Sequence, residues 1–128
     1  MIKYLGIDYG TKRIGLAIGD SDSRTAVIFG TINEAREIKK IVEQEDISAV
    51  VIGAPYSIID VRRELPENFQ KFLAELKMVL PGTEIILEDE RLSSKYADSL
   101  TGDKKTKASR DEIAAVSILQ GYLDRNSK

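Results

Sequence analysis

Acidic residues stand at three separated places in the chain where a folded domain could bring them together. Asp8 lies in a segment that is otherwise apolar or small, three consecutive acids occupy positions 88–90, and Asp111 opens a helical pattern near the C-terminus. A carboxylate is costly to bury unless a hydrogen bond, a cation or a metal ion compensates it. Three convergent carboxylates would bind Mg²⁺ or Mn²⁺, the hard cations that oxygen ligands favour. Two such ions about 4 Å apart can activate water and stabilise the leaving oxygen in phosphodiester cleavage.

The residue types that are missing from the chain exclude several kinds of catalytic and metal site. The 128 residues include no cysteine, histidine or tryptophan, which excludes disulfide bonds, thiolate catalysis, zinc sites of the Cys/His type and a Ser-His-Asp triad. The formal net charge is −2, so nucleic acid would have to bind at local basic patches. A hydrolase of this composition would be built on carboxylates.

Basic residues flank the acidic positions and are candidates for binding phosphates. They are Lys12, Arg13, Arg91, Lys104, Lys105, Lys107 and Arg110. Each group alone is also typical of an ordinary charged surface. Their placement beside the acids favours contacts with a phosphate backbone, and such binding would be salt-dependent and weakly selective for sequence.

Each acid also has a purely structural interpretation. Asp8 could cap the bend that follows it, and the acids at 88–90 could form a solvated strand end. Asp111 would be favourable in the first turn of any helix because of the helix dipole. However, Asp111 shares one helical stripe with a set of apolar residues, so we expect it to face the sheet. That set is Ala114, Ala115, Ile118 and Tyr122.

The first two strands are predicted from alternation, and they position Asp8. Residues 4–9 and 13–19 form strands joined by a turn at Gly10 and Thr11, and residues 24–31 form a third strand of an antiparallel meander. Alternation places Gly6 and Asp8 on one face of the first strand. If Gly15 and Ala17 share that face, it is nearly flat, and a helix or a phosphodiester backbone can lie close over it.

The rest of the chain reads as helices and buried strands in alternation. We predict a helix from an Asn33 cap to residue 44, a strand over 48–53, a helix opened by Pro66, a strand over 84–87, a short helix from 93 or 94, and a last helix capped by Ser109 and Glu112. Residues 124–128 are expected to fray. This order predicts an α/β fold with a mixed five-stranded sheet flanked by helices.

Length and hydrophobicity predict one domain over residues 1–128. No apolar run approaches the ~20 residues that span a bilayer. The N-terminus leads directly into a strand, without the basic region and cleavage site of a secretory signal. We therefore expect a cytoplasmic protein.

Four motifs in order resemble the YqgF/RuvX family of bacterial RNase H-like nucleases. They occupy residues 6–17, 53–55, 89–94 and 105–124. Members of that family are described as Holliday junction resolvase-like and as nucleases that mature the 5′ end of pre-16S rRNA. The resemblance implies an RNase H-like fold and a metal-dependent endonuclease. Its substrate would be structured nucleic acid, either pre-rRNA or branched DNA, and its partners would include ribosome-assembly factors.

The resemblance also implies a set of site residues. The family's catalytic acids, which are also its metal ligands for Mg²⁺ or Mn²⁺, carry over onto Asp8, Glu90 and Asp111, with Asp89 as the alternative for the middle one. The chain departs from the family pattern at residues 56–60, which replace a Gly-containing loop. Sequence leaves a monomer or a homodimer open.

Three other functions remain as alternatives. The first, within the same family, is Holliday junction resolution. The second is an ATP-binding module, because residues 8–11 also resemble the phosphate-binding hairpin of actin-like proteins, although those close two domains and this chain supplies one. The third is a non-catalytic module that binds RNA or a ribosome-assembly partner.

Overall fold

A computed structural model of the chain describes residues 1–10, 12–54, 66–89 and 110–126, with Asp89 and Arg110 described by their backbone only. The strands are β1 (Lys3–Tyr9), β2 (Ile14–Asp20), β3 (Val27–Ile32), β4 (Ala49–Ala54) and β5 (Glu84–Asp89). The helices are α1 (Arg36–Gln44), α2 (Glu67–Val79) and α3 (Arg110–Arg125).

The strands form one mixed sheet, as predicted. Its order is β3-β2-β1-β4-β5. The meander β1–β2–β3 is antiparallel, whereas β4 pairs in parallel with β1 and with β5. All six residues of β4 are buried, which is typical of a strand covered on both faces. The predicted short helix from 93 or 94 and the capping residue Ser109 lie outside the described residues.

The two faces of the sheet carry separate cores. Leu5 and Ile7 of β1 point to one face, where they join the apolar residues of α1 and α2. Tyr4 and Ala17 point to the other face, where they pack with the apolar stripe of α3. The predicted alternation along β1 is therefore confirmed, and Asp8 belongs to the face that α3 covers.

Glycines on the α3 face let the helix backbone approach the sheet. A Cβ atom added to Gly6 would lie 2.7 Å from the Cβ of Leu119, and one added to Gly15 would lie 2.0 Å from the carbonyl oxygen of Asp111. Both distances are shorter than real Cβ contacts. The flat face predicted from the sequence is thus covered by a helix, and the positions of Gly6 and Gly15 set how closely α3 can pack.

The predicted start of α1 is wrong. The helix begins at Arg36 and not directly after Asn33, and no side chain caps it. Instead, the Glu37 carboxylate accepts hydrogen bonds from the backbone N–H groups of Asn33 and Glu34, each at 2.9 Å. An acid in the first turn of the helix therefore holds the segment that precedes α1, and Asn33 does not cap the helix.

The third strand also begins later than predicted, at Val27. Residues 21–23 form a turn whose N–H groups at Asp22 and Ser23 donate to the Asp20 carboxylate. The Ala26 N–H donates to the Gln120 side chain on α3. Within the described residues, no helix combines the length and the apolar character needed to cross a bilayer.

Candidate active site

Asp8 lies near the end of β1, directly opposite Gly15 of β2. Its side chain is partly buried. Residues opposite one another in an antiparallel pair point to the same face of the sheet. The Asp8 side chain and the Cβ position of Gly15 therefore lie on the face that α3 covers. The Asp8 carboxylate therefore lies beside the space left by Gly15, where the backbone of α3 can come close to the sheet.

Asp111, the second residue of α3, lies against the turn between β1 and β2. Its Oδ2 is 3.4 Å from Nε of Arg13, and its Oδ1 is 3.5 Å from the position that a Cβ on Gly10 would take. The Gly10 N–H donates to the carbonyl oxygen of Arg13 at 3.0 Å, which closes the turn. Asp111 therefore faces the sheet, as the helical stripe predicted.

Gly15 brings Asp8 and Asp111 to the same place. Opposing Cβ positions in an antiparallel pair lie about 4.5–5.5 Å apart, and the Cβ position of Gly15 is 2.0 Å from the Asp111 carbonyl oxygen. The Cβ of Asp8 therefore lies within about 7.5 Å of that oxygen. The two acids occupy one end of one sheet face, although they are a hundred residues apart in the chain.

The third predicted acid cannot be placed in the same way. Glu90 lies outside the described residues, and the alternative, Asp89, is the last residue of β5. Among the described residues, no group of three or more acids is arranged to hold a metal ion. Asp8 and Asp111 are the two predicted ligands that this part of the chain contains.

Glu88 is engaged elsewhere, in a contact that the sequence analysis missed. It is buried, and its carboxylate forms an ion pair with the guanidinium of Arg125. The Arg125 side chain folds back over Gly121, where a Cβ would meet its guanidinium at 3.2 Å. Residues 124 and 125 were expected to fray, but α3 extends through Arg125.

A tyrosine pair lies beside this ion pair. The rings of Tyr4 and Tyr122 meet edge to face at 5.4 Å. Burial raises the pKa of Tyr122, and the neighbouring Tyr4 and the acids Glu84 and Glu88 raise it further. The Tyr122 phenol is therefore less acidic than a solvated tyrosine.

Two of the predicted phosphate-binding residues are at the hairpin turn. Lys12 and Arg13 are both exposed there, and Arg13 lies beside Asp111. Arg110 is the first residue of α3. The remaining predicted cations, Arg91, Lys104, Lys105 and Lys107, lie outside the described residues.

The family model described as "RuvX: Holliday junction resolvase" matches residues 2–125. The chain belongs to the RuvX family. A RuvX-family protein of Bacillus cytotoxicus, named "Putative pre-16S rRNA nuclease", is 39% identical to it over 96% of this chain and 98% of that protein. A protein of the same name from Endomicrobium trichonymphae is 34% identical over 99% of each chain. This RuvX chain is accordingly a nuclease.

The fold also matches a solved structure. "T. thermophilus RuvC in complex with Holliday junction substrate" superposes with a TM-score of 0.68, covering 99% of this chain and 98% of that one. The sequences are only 12% identical, so the likeness concerns the fold alone. It confirms the expected RNase H-like α/β architecture.

Proposed function

We propose that this RuvX-family nuclease is a metal-dependent endonuclease of structured nucleic acid and that its substrate is the 5′ end of pre-16S rRNA. The observation that carries the proposal is the convergence of Asp8 and Asp111 at Gly15. The substrate is inferred from the names of the two bacterial relatives. We further propose that the chain forms one nuclease domain that acts in the cytoplasm.

The residues at this place suit a hard divalent cation. Asp8 and Asp111 offer carboxylate oxygens, and the chain has no histidine or cysteine that would favour zinc. We propose Asp8, Asp111 and Glu90 as the residues that would hold Mg²⁺ or Mn²⁺. The ion would stabilise the charge that develops on the phosphate during hydrolysis.

The chain's own groups would bind and orient the substrate. Lys12 and Arg13 at the hairpin turn would contact phosphates on either side of the scissile bond. The N-terminus of α3 lies at the same place, and its dipole favours an anion. Hydrolysis in line with the departing 3′ oxygen would give 5′-phosphate and 3′-hydroxyl ends.

Holliday junction resolution is the second candidate function. The description of the matching family model favours it. Both activities would use the same acids, so they differ in substrate and not in chemistry. A non-catalytic RNA-binding module would bind the same substrates without cutting them.

A cleavage assay separates these functions. Pre-16S rRNA and a four-way DNA junction are offered with Mg²⁺ or Mn²⁺ to the wild type and to Asp8→Asn and Asp111→Asn, with Asp22→Asn at an exposed turn as the matched control. We expect cleavage of the rRNA by the wild type and the control only. Cleavage of the junction alone would establish the resolvase, and full activity of Asp8→Asn would overturn the proposed site.

A second measurement tests the metal without using activity. A ligand that binds only the folded state raises the melting temperature. Mg²⁺ or Mn²⁺ should therefore stabilise the wild type and Asp22→Asn, and should stabilise Asp8→Asn less. Equal stabilisation of all three proteins would place the ion elsewhere.

A further inference from the structure

A groove of about 450 Å³ lies on the sheet face opposite to Asp8. It runs between the β1–β2 hairpin, the start of α1 and the first half of α2. Residues that line it include Tyr9, Asn33, Arg36, Asn68, Lys71 and Glu75. The volume falls within the range of about 300–1,000 Å³ that is typical of ligand sites.

The cations of the groove are paired with carboxylates, and a further acid is present, which disfavours a phosphate. The Arg36 Nε lies 2.6 Å from the Glu34 carboxylate, and the Lys71 Nζ lies 3.3 Å from the Glu67 carboxylate. Glu75 adds a further negative charge to the lining. An anion would have to compete with these carboxylates, whereas an uncharged ligand would not.

Two exposed amides supply the polar groups that such a ligand would need. Asn33 and Asn68 come from different elements and both line the groove. Each side-chain amide offers a hydrogen-bond acceptor and a donor. This combination recognises the edge of a flat heterocycle that carries both donors and acceptors.

One wall of the groove is aromatic and held in place. The Tyr9 ring stacks on Phe72, with centroids 4.4 Å apart and planes at 27°, and meets Phe69 edge-on at 6.2 Å. Both phenylalanines are buried, whereas Tyr9 is partly exposed. An ordered aromatic wall favours flat, neutral rings, and nucleobases stack on such side chains.

The groove is adjacent to the candidate active site along the chain. Tyr9 directly follows Asp8, and neighbouring Cα atoms are about 3.8 Å apart. Tyr9 pairs with Ile14 on the next rung after Asp8 and Gly15, so the two rungs point to opposite faces. Lys12 and Arg13 are exposed at the turn that separates them. A strand whose phosphate lies at Asp8 would pass these cations on its way to the groove.

We propose that this groove binds an unpaired nucleobase of the substrate, next to the scissile phosphate. The proposal rests on the proposed nuclease function and deepens it. A base can enter the groove only where it is free of a pairing partner. The protein therefore selects cleavage sites that are flanked by single-stranded nucleotides and cuts fully paired duplexes poorly.

Binding measured on the uncleaving Asp8→Asn protein tests the groove separately from catalysis. The probes are fluorescent RNA hairpins whose nucleotides beside the cleavage site are unpaired, fully paired, or unpaired and abasic. Asn33→Ala/Asn68→Ala is the groove variant. Gln44→Ala, which removes an exposed amide at the far end of α1, is the matched control. All three substituted positions are exposed, and thermal melts check that each variant is folded.

We expect the groove variant to bind the unpaired RNA about fivefold more weakly or worse. It should bind the abasic and paired RNAs as its parent does, and Gln44→Ala should match the parent on all three. Equal binding of the unpaired RNA by the variant and its parent would overturn the proposal that the groove binds a base. A loss of the same size on the abasic RNA would also overturn it, because the contact would then be to the backbone.

Cleavage by the wild type distinguishes failure of the groove from failure of the proposed function. If the wild type cuts paired and unpaired RNA equally, the nuclease stands and the groove proposal falls. If the wild type cuts neither RNA and Asp8→Asn binds neither, both proposals fall.

Discussion

The contact between Gly15 and α3 gives the sharpest test of how the fold builds the site. In Gly15→Ala the new Cβ would lie 2.0 Å from the carbonyl oxygen of Asp111, 2.3 Å from its carbonyl carbon and 2.9 Å from the Glu112 nitrogen. All three atoms belong to the helix backbone, so no side chain can rotate away. The start of α3 has to move off the sheet.

The size of the effect follows from these distances. Real Cβ contacts are no shorter than about 3 Å, so the helix start moves by about 1 Å or more. Overpacking of this kind costs about 1–3 kcal/mol in the free energy of unfolding, and we expect the upper end, which is a fall of about 10 °C in Tm. Misplacing a catalytic group by about 1 Å can cost about a hundredfold in rate, and Asp111, the proposed metal ligand, moves with the helix.

Gly121→Ala on the same helix is the matched control. Its Cβ would meet only the flexible end of Arg125, at 3.2 Å, and alanine is the better helix former by about 1 kcal/mol. We expect the control to be as active as the wild type and at least as stable, because the end of the Arg125 side chain can shift by a few tenths of an ångström. Thermal melts give the Tm of both variants, and cleavage rates are compared at a temperature below both melting transitions. A Gly15→Ala protein with wild-type stability would refute the packing, and a destabilised one with wild-type cleavage would refute the link from Gly15 to Asp111.

Two further predictions concern charges away from the site. Arg125→Ala leaves the buried Glu88 carboxylate without its ion-pair partner, so urea denaturation should show that the free energy of unfolding falls by about 1–3 kcal/mol. Adding Glu88→Gln should restore part of this free energy. A double variant that is no more stable than Arg125→Ala would contradict the pairing. Hydrogen bonds from the N–H groups of Glu34 and Asn33 hold the pKa of Glu37 below its usual 4.5, so its stabilisation is present above that pH and is lost as the pH falls through the lowered pKa. The Tm advantage of the wild type over Glu37→Gln should therefore shrink in acid, and an advantage independent of pH would argue against a role of these hydrogen bonds in stability.

Local periodicity was enough to predict the faces on which the acids lie. Residues two apart in a strand and three or four apart in a helix share a face whatever the rest of the chain does. Asp8 therefore had to share a face with Gly6, and Asp111 had to share the apolar stripe of its helix. Both expectations hold, because the core packs on those faces.

Contacts between distant parts of the chain could not be predicted in this way. The three acids at 88–90 look alike in the sequence, yet Glu88 is buried against Arg125. That pairing depends on where the end of α3 crosses the sheet, which no local pattern encodes. The prediction of an Asn33 cap was wrong for a different reason. The helix begins only at Arg36, and the Glu37 carboxylate accepts from the backbone N–H groups of Asn33 and Glu34 that precede it.

The contact between Arg13 and Asp111 shows why the site can remain stable before a ligand binds. The Arg13 guanidinium lies 3.4 Å from the Asp111 carboxylate, and the two side chains are 56% and 28% exposed. An ion pair this exposed is worth about 0–1 kcal/mol. Arg13 thus neutralises the charge of Asp111 through a weak ion pair. A metal ion could replace the Arg13 guanidinium beside Asp111 at a small cost in free energy. Released from Asp111, the guanidinium would stay at the hairpin turn, where a phosphate of the substrate could bind it. The position of Asp111 would not depend on this exchange, because the backbone contact at Gly15 fixes it.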